Sequence, residues 1–175
     1  MQYLTKDFGI ILILFSGSIG GWVFSNTYLK RIEDLNNIKI VINIVDNEII
    51  TKNKRLIDAL KHASANTNKR VKMIFLDLVD KYSKNPEKDL YDLWLEVLKN
   101  NEKYYYFKKK DLLIIDEWIA QIGKIPLEKQ VKINDICIKE INKKIIEAKN
   151  EANKKVKIIR YFGVLIAFLI IIIFY

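Results

Sequence analysis

Residues 161–175 read YFGVLIAFLIIIIFY, fifteen positions without a charge, and they follow the basic segment Lys154, Lys155, Lys157 and Arg160. A helix of that length spans about 22 Å, so crossing the roughly 30 Å hydrocarbon layer requires Ile158 and Ile159 to contribute and Arg160 to snorkel. No polar face interrupts the run, which favours a membrane span over the core helix of a soluble domain. Working backwards, the 49 residues 127–175 contain no proline and one glycine, Gly163. The whole stretch therefore reads as one helix of about 73 Å running into the membrane. Within it Ile138, Ile141, Ile145, Ala148, Ala152, Lys155 and Ile159 alternate steps of three and four, the rhythm of a helix with one narrow packing seam, in which Lys155 is a flaw.

The other end of the chain carries a second apolar run. Residues 8–29 hold 22 successive uncharged positions, about 33 Å of helix. Its preceding segment has only Lys6 beside Asp7 and no A-x-A-like cleavage site follows, so a retained anchor is expected rather than a signal peptide. After it Leu29, Ile32, Leu35, Ile38, Val41, Ile42, Val45 and Ile49 keep helical spacing, which predicts that the helix continues and packs antiparallel to the seam of the last one. IKIVINIV (38–45) is β-branched, but its apolar positions do not alternate and no partner strand is apparent elsewhere.

The whole chain has 175 residues, half of them hydrophobic, with 30 Lys and Arg against 21 Asp and Glu, a formal charge of +9. Six glycines and two prolines leave few helix breaks, which argues against a turn-rich sheet fold. One cysteine, Cys137, and one histidine, His62, exclude a disulfide scaffold or a His-rich zinc module. All of the net charge lies in 30–160, and Lys and Arg border both apolar runs on that side. The positive-inside rule then places the middle segment in the cytoplasm and both chain ends on the outer side. The expected organisation is 1–29 as an N-terminal transmembrane helix, 30–160 as a cytoplasmic helical domain and 161–175 as a C-terminal transmembrane helix, an all-α protein. The charge excess is Lys rather than Arg and accompanies abundant Ile and Asn, so it reads as solvated helix surface and not as a nucleic-acid footprint.

Inside the middle segment, helices are predicted over 56–65, 71–82, 90–98 and 110–122, with turns at Asn66-Thr67-Asn68 and Ser83-Lys84-Asn85-Pro86. Gly123 supplies a left-handed helix end and Pro126 opens the last helix. No GxxxxGK[ST], GxGxxG, HExxH or GxSxG motif occurs, and Asp116 and Glu117, adjacent on a helix, diverge, so neither catalysis nor a cofactor or metal is expected. Two candidate contact sites remain. Tyr104, Tyr105 and Tyr106, with Phe107, run into Lys108, Lys109 and Lys110; this segment either meets a partner or tucks its rings beneath a loop with solvated lysines. Gly17 and Gly21 form a small-xxx-small pair suited to close helix contact in the membrane.

The order of these features resembles the stage III sporulation protein AB family of endospore-forming bacteria along the whole chain. The resemblance rests on Leu56-x-x-Ala59-Leu60, Trp94 and Leu98, the Ile122-Gly123 helix end followed by Glu128 and Gln130, and the entry Lys157 to Gly163-Val164-Leu165. Arg55, Ile119 and Pro126 stand where the family usually has proline, glycine and aspartate. The resemblance implies a helical domain like that of the F platform protein of type II secretion and mother-cell membrane localisation around the forespore. It further implies a non-enzymatic platform role in the secretion-like stage III sporulation complex, alongside its other subunits and a cytoplasmic ATPase. The alternative is an independent membrane-anchored helical adaptor or sensor; neither reading involves a small-molecule substrate or nucleic acid.

Overall fold

The computed structural model describes the backbone of residues 2–174 and the side chains of residues 9, 12, 13 and 15–173. Lys6 and Asp7, which bear on the anchor reading, have side chains outside that set. Six helices and no strand occur among the described residues: α1 (Gln2–Ile50), α2 (Leu56–Ala65), α3 (Lys69–Lys84), α4 (Leu90–Asn100), α5 (Lys109–Gln121) and α6 (Leu127–Phe174). IKIVINIV is helical, and its buried members Ile38, Val41, Ile42 and Val45 lie three, four and seven residues apart. Among the described residues one helix is long and apolar enough to cross a membrane, the stretch Leu127–Ile173 of α6, with a mean hydropathy of 2.5 over its most apolar window.

The chain forms two compact units. One comprises Arg31–Ile146, and the other the residues up to Lys30 together with those from Glu147 onward. In the first, α2, α3, α4 and α5 pack in succession, each against its neighbour in sequence. Their apolar faces supply Leu60, Ile74, Phe75, Leu78, Leu93, Trp94, Ile115, Trp118 and Ile119, all at most 1% exposed, and α1 adds Leu35, Ile38 and Ile42 at 0%. The Phe75 and Trp94 rings tilt together 5.6 Å apart. α1 and α6 run antiparallel here: Lys39 Nζ donates to Asn142 Oδ1 at 3.0 Å, and the Asn134 amide donates to Asp46 further along. The predicted seam positions Ile141, Ile145 and Ala148 are buried on α6, whereas Ile138 is half-buried.

Helix ends follow from specific side chains. Asn68 caps α3 by accepting from the Val71 N–H at 3.0 Å, and Asp89 caps α4 by accepting from the Tyr91 N–H at 2.9 Å. Gly123 follows α5 with φ +77°, and a Cβ there would lie 2.8 Å from Leu56 Cδ2, so both the backbone angle and the packing of α2 require glycine. α1 ends on Glu48. Its carbonyl accepts from the Lys54 N–H at 3.0 Å and its carboxylate pairs with the Lys52 ammonium at 2.6 Å and with Lys54, drawing the connecting turn around one side chain that is 1% exposed.

Lys52, and then Lys54, hold the Glu48 carboxyl at about 2, below its ordinary 4.5. Because the folded value is the lower one, the contribution to stability is present above about pH 4.5 and is lost as pH falls toward 2. Glu48→Gln should lower the unfolding midpoint of the detergent-solubilised chain at neutral pH. The gap between variant and parent should close on acidification; a gap independent of pH would show that the ion pairs contribute nothing.

Candidate interaction surfaces

The segment 101–108 between α4 and α5 is fixed by charges on α1. Asp34 is fully buried, and its carboxylate accepts from Arg70 Nε at 2.8 Å, Asn68 Nδ2 at 3.1 Å and the Tyr106 N–H at 3.1 Å. One turn earlier on α1, Arg31 makes a forked pair with the fully buried Asp111 of α5, Nε to Oδ2 at 2.7 Å and Nη2 to Oδ1 at 2.8 Å. Asp111 also accepts from the Lys108 N–H at 2.8 Å, which defines the start of α5. One turn after Asp34, Asn37 accepts from the Asn68 N–H at 2.7 Å. Residues 31, 34 and 37 thus present one polar face of α1 to three separate segments.

This arrangement divides the aromatic and basic stretch. Tyr106 packs its ring under the Arg70 guanidinium at 5.6 Å, Tyr105 stacks on the buried Phe107 at 5.4 Å, and Tyr104 remains 52% exposed. Lys108, Lys109 and Lys110 are exposed around the first turn of α5. Burial, with the nearby Glu102 and Asp116 carboxylates, pushes the Tyr105 hydroxyl above its ordinary pKa. The rings largely serve packing, while the lysines and Tyr104 form the accessible part.

Other singled-out groups have local roles. Trp94 Nε1 donates to Asp116 Oδ1 at 2.7 Å, and burial holds that carboxyl above its usual range. Glu117 is exposed and points elsewhere. Cys137 is buried, its Sγ 3.9 Å from the Ile114 carbonyl oxygen, and burial pushes its thiol up to about 12. His62 is half exposed, with Nδ1 3.5 Å from Glu48 Oε1.

In the other unit, Gly17 and Gly21 of α1 lie against Gly163 of α6. A Cβ at Gly17 would sit 2.6 Å from the Gly163 carbonyl oxygen and 2.8 Å from the Ala167 Cβ, and one at Gly163 would sit 2.5 Å from the Gly17 oxygen. The backbones approach too closely for any side chain. Gly163 and Ala167 repeat the four-residue spacing of Gly17 and Gly21, a signal visible in the sequence once both runs are aligned. Toward the charged ends of this pair, Arg160 Nε donates to Ser25 Oγ at 3.0 Å, and Lys155 leaves the seam to pair with Glu151 at 2.9 Å and lie 5.6 Å over the Tyr28 ring.

Arg31→Met should destabilise the protein by about 3–5 kcal/mol, because Asp111 would stay buried without its countercharge. Chemical denaturation of the full chain in detergent checks this, and a loss below about 1 kcal/mol would show the pair to be dispensable. In the aromatic stretch, Phe107→Ala should cost about 3 kcal/mol, whereas replacing Lys108, Lys109 and Lys110 together by Glu should leave the unfolding midpoint nearly unchanged. The reverse pattern would assign the packing role to the lysines.

No curated protein and no solved structure matches the chain. The family model of stage III sporulation protein AB matches residues 6–175, nearly the whole length. The chain therefore belongs to the stage III sporulation protein AB family and is a sporulation-related protein.

Proposed function

We propose that this protein is a non-enzymatic platform subunit of the stage III sporulation complex, held in the mother-cell membrane around the forespore by two transmembrane helices and working with a cytoplasmic ATPase. The family match supports the process. The observation that carries the membrane reading is the glycine contact between two uncharged helical stretches, Gly17 and Gly21 against Gly163 and Ala167, because close backbone contact between small residues stabilises helix pairs where lipid gives no hydrophobic driving force. In this reading 1–29 and 161–175 lie in the membrane and 30–160 in the cytoplasm, a division supported by Lys30, Arg31, Lys154, Lys155, Lys157 and Arg160 at the borders of the apolar stretches.

A platform role suits a helical domain whose charged groups serve structure. The carboxylates of Asp34, Asp111 and Asp116 are all engaged by donors from other segments, and the Cys137 thiol is protonated at neutral pH. The exposed Lys108, Lys109 and Lys110 provide a cationic surface on the cytoplasmic segment for an acidic partner such as the ATPase.

Two measurements test this reading. Tagged protein solubilised from sporulating cells should bring down an ATPase and other membrane subunits, whereas recovery alone would favour the independent adaptor or sensor. For topology, a Lys88→Cys, Cys137→Ala chain should resist a membrane-impermeant thiol reagent in intact cells and react after permeabilisation. Lys88 serves because it is exposed, while Cys137 is too buried to report. Labelling in intact cells would overturn the cytoplasmic placement.

A further inference from the structure

The outer face of α5 carries more apolar surface than its position on a charged domain requires. Leu113 is 61% exposed, and across the groove between α5 and α6 Ile136 is 60% exposed. The groove encloses about 240 Å³ and is lined by Ile114, Trp118, Ile133 and Ile136, with Glu117 and Glu140 among its walls. These aliphatic side chains flank a groove whose walls also carry the polar Glu117, Gln121 and Glu140.

The order of charges along α5 identifies what covers it. Lys110, Leu113, Ile114 and Glu117 follow one another at steps of three, one and three residues and occupy one face of the helix. Lys110 lies one turn before the Leu113–Ile114 pair and Glu117 one turn after it. An identical helix laid antiparallel across this face about a twofold axis at that pair sets each Lys110 opposite the Glu117 of its copy. Leu113 of each copy then lies over Ile114 at the mouth of the other's groove. A surface that is its own electrostatic complement under a twofold rotation is the requirement for an isologous dimer. The same face is not matched to a uniformly basic or uniformly acidic helix, which would meet one of the two charges with repulsion.

The geometry points to a homodimer of this protein formed by antiparallel contact of the α5 outer faces, with Leu113 and Ile114 at the twofold axis and reciprocal Lys110–Glu117 pairs on either side. This contact requires no other subunit; it takes Lys110 for the dimer and leaves Lys108 and Lys109 for the cationic surface of the proposed function.

The test uses the full chain in detergent micelles. Lys110→Glu alone and Glu117→Lys alone each set like charges opposite one another twice per dimer, and each should weaken self-association by about tenfold or more. Mixing the two variants restores opposite charges at both contacts, so a mixed dimer should form with parent-like affinity, read by light scattering and by co-purification of differently tagged chains. In a Cys137→Ala background, Leu113→Cys should form a disulfide-linked dimer on mild oxidation, while Leu95→Cys, 42% exposed on α4, should not. A parent chain that stays monomeric, single variants that dimerise as well as the parent, or a mixture that stays apart would each overturn the proposal. Dimers that survive both charge variants and lack the Leu113→Cys cross-link would place self-association elsewhere, in the glycine-lined helices. Capture of an acidic or basic partner by the groove in preference to a second copy would also overturn it.

Discussion

A carboxylate that is shut away from water must be surrounded by donors, and Asp34 is the group on which the Arg31–Ile146 unit turns. Its donors come from the start of α3 and from the segment between α4 and α5, so the helix that carries it dictates where both segments lie. Arg31 and Asp111 apply the same constraint in the opposite sense, with the cation on α1 and the buried anion on α5. Apolar packing alone tolerates sliding of one helix along another, whereas a forked guanidinium–carboxylate pair tolerates very little. The hydrophobic faces therefore drive association, and these polar contacts select the register.

A second polar node fixes the opposite end of the same helix. The Asn134 side chain, 1% exposed, accepts from Trp118 Nε1 at 2.8 Å and from Gln130 Nε2 at 3.0 Å while donating to Asp46. One amide thus ties α1, α5 and α6 together through three hydrogen bonds made within the protein. Buried amides of this kind are high-stakes groups, because losing one partner leaves the others unsatisfied.

The helices were legible in the sequence because their signals are local. The predicted 56–65 matches α2, and the remaining short helices differ by one or two residues at their ends; capping by Asn68 carries the start of α3 two residues ahead of its periodic core. Gly123 declared the end of α5, and the spacing of Leu35, Ile38, Val41 and Ile42 identified the buried face of α1. The buried face is shorter than that spacing predicts, since Leu29 is 45% exposed. The polar contacts were hidden because their partners lie far apart: Arg31 is 80 residues from Asp111, and Asp34 is 72 from Tyr106. In a chain with 51 ionisable Lys, Arg, Asp and Glu side chains, nothing in the spacing marks these few as the buried ones. For the aromatic stretch, composition announced a surface feature, but only the location of Asp34 and Arg70 decides which rings turn inward.

The three tryptophans have an unplanned analytical value. Trp94 and Trp118 are at most 1% exposed, and their indole N–H groups donate to Asp116 and Asn134 respectively. Trp22, in the other unit, is 55% exposed and has an apolar helical setting. Two native chromophores thus register the solvent environment of the Arg31–Ile146 unit while a third registers that of the glycine-paired helices. Each unit therefore carries its own optical label without any change to the chain.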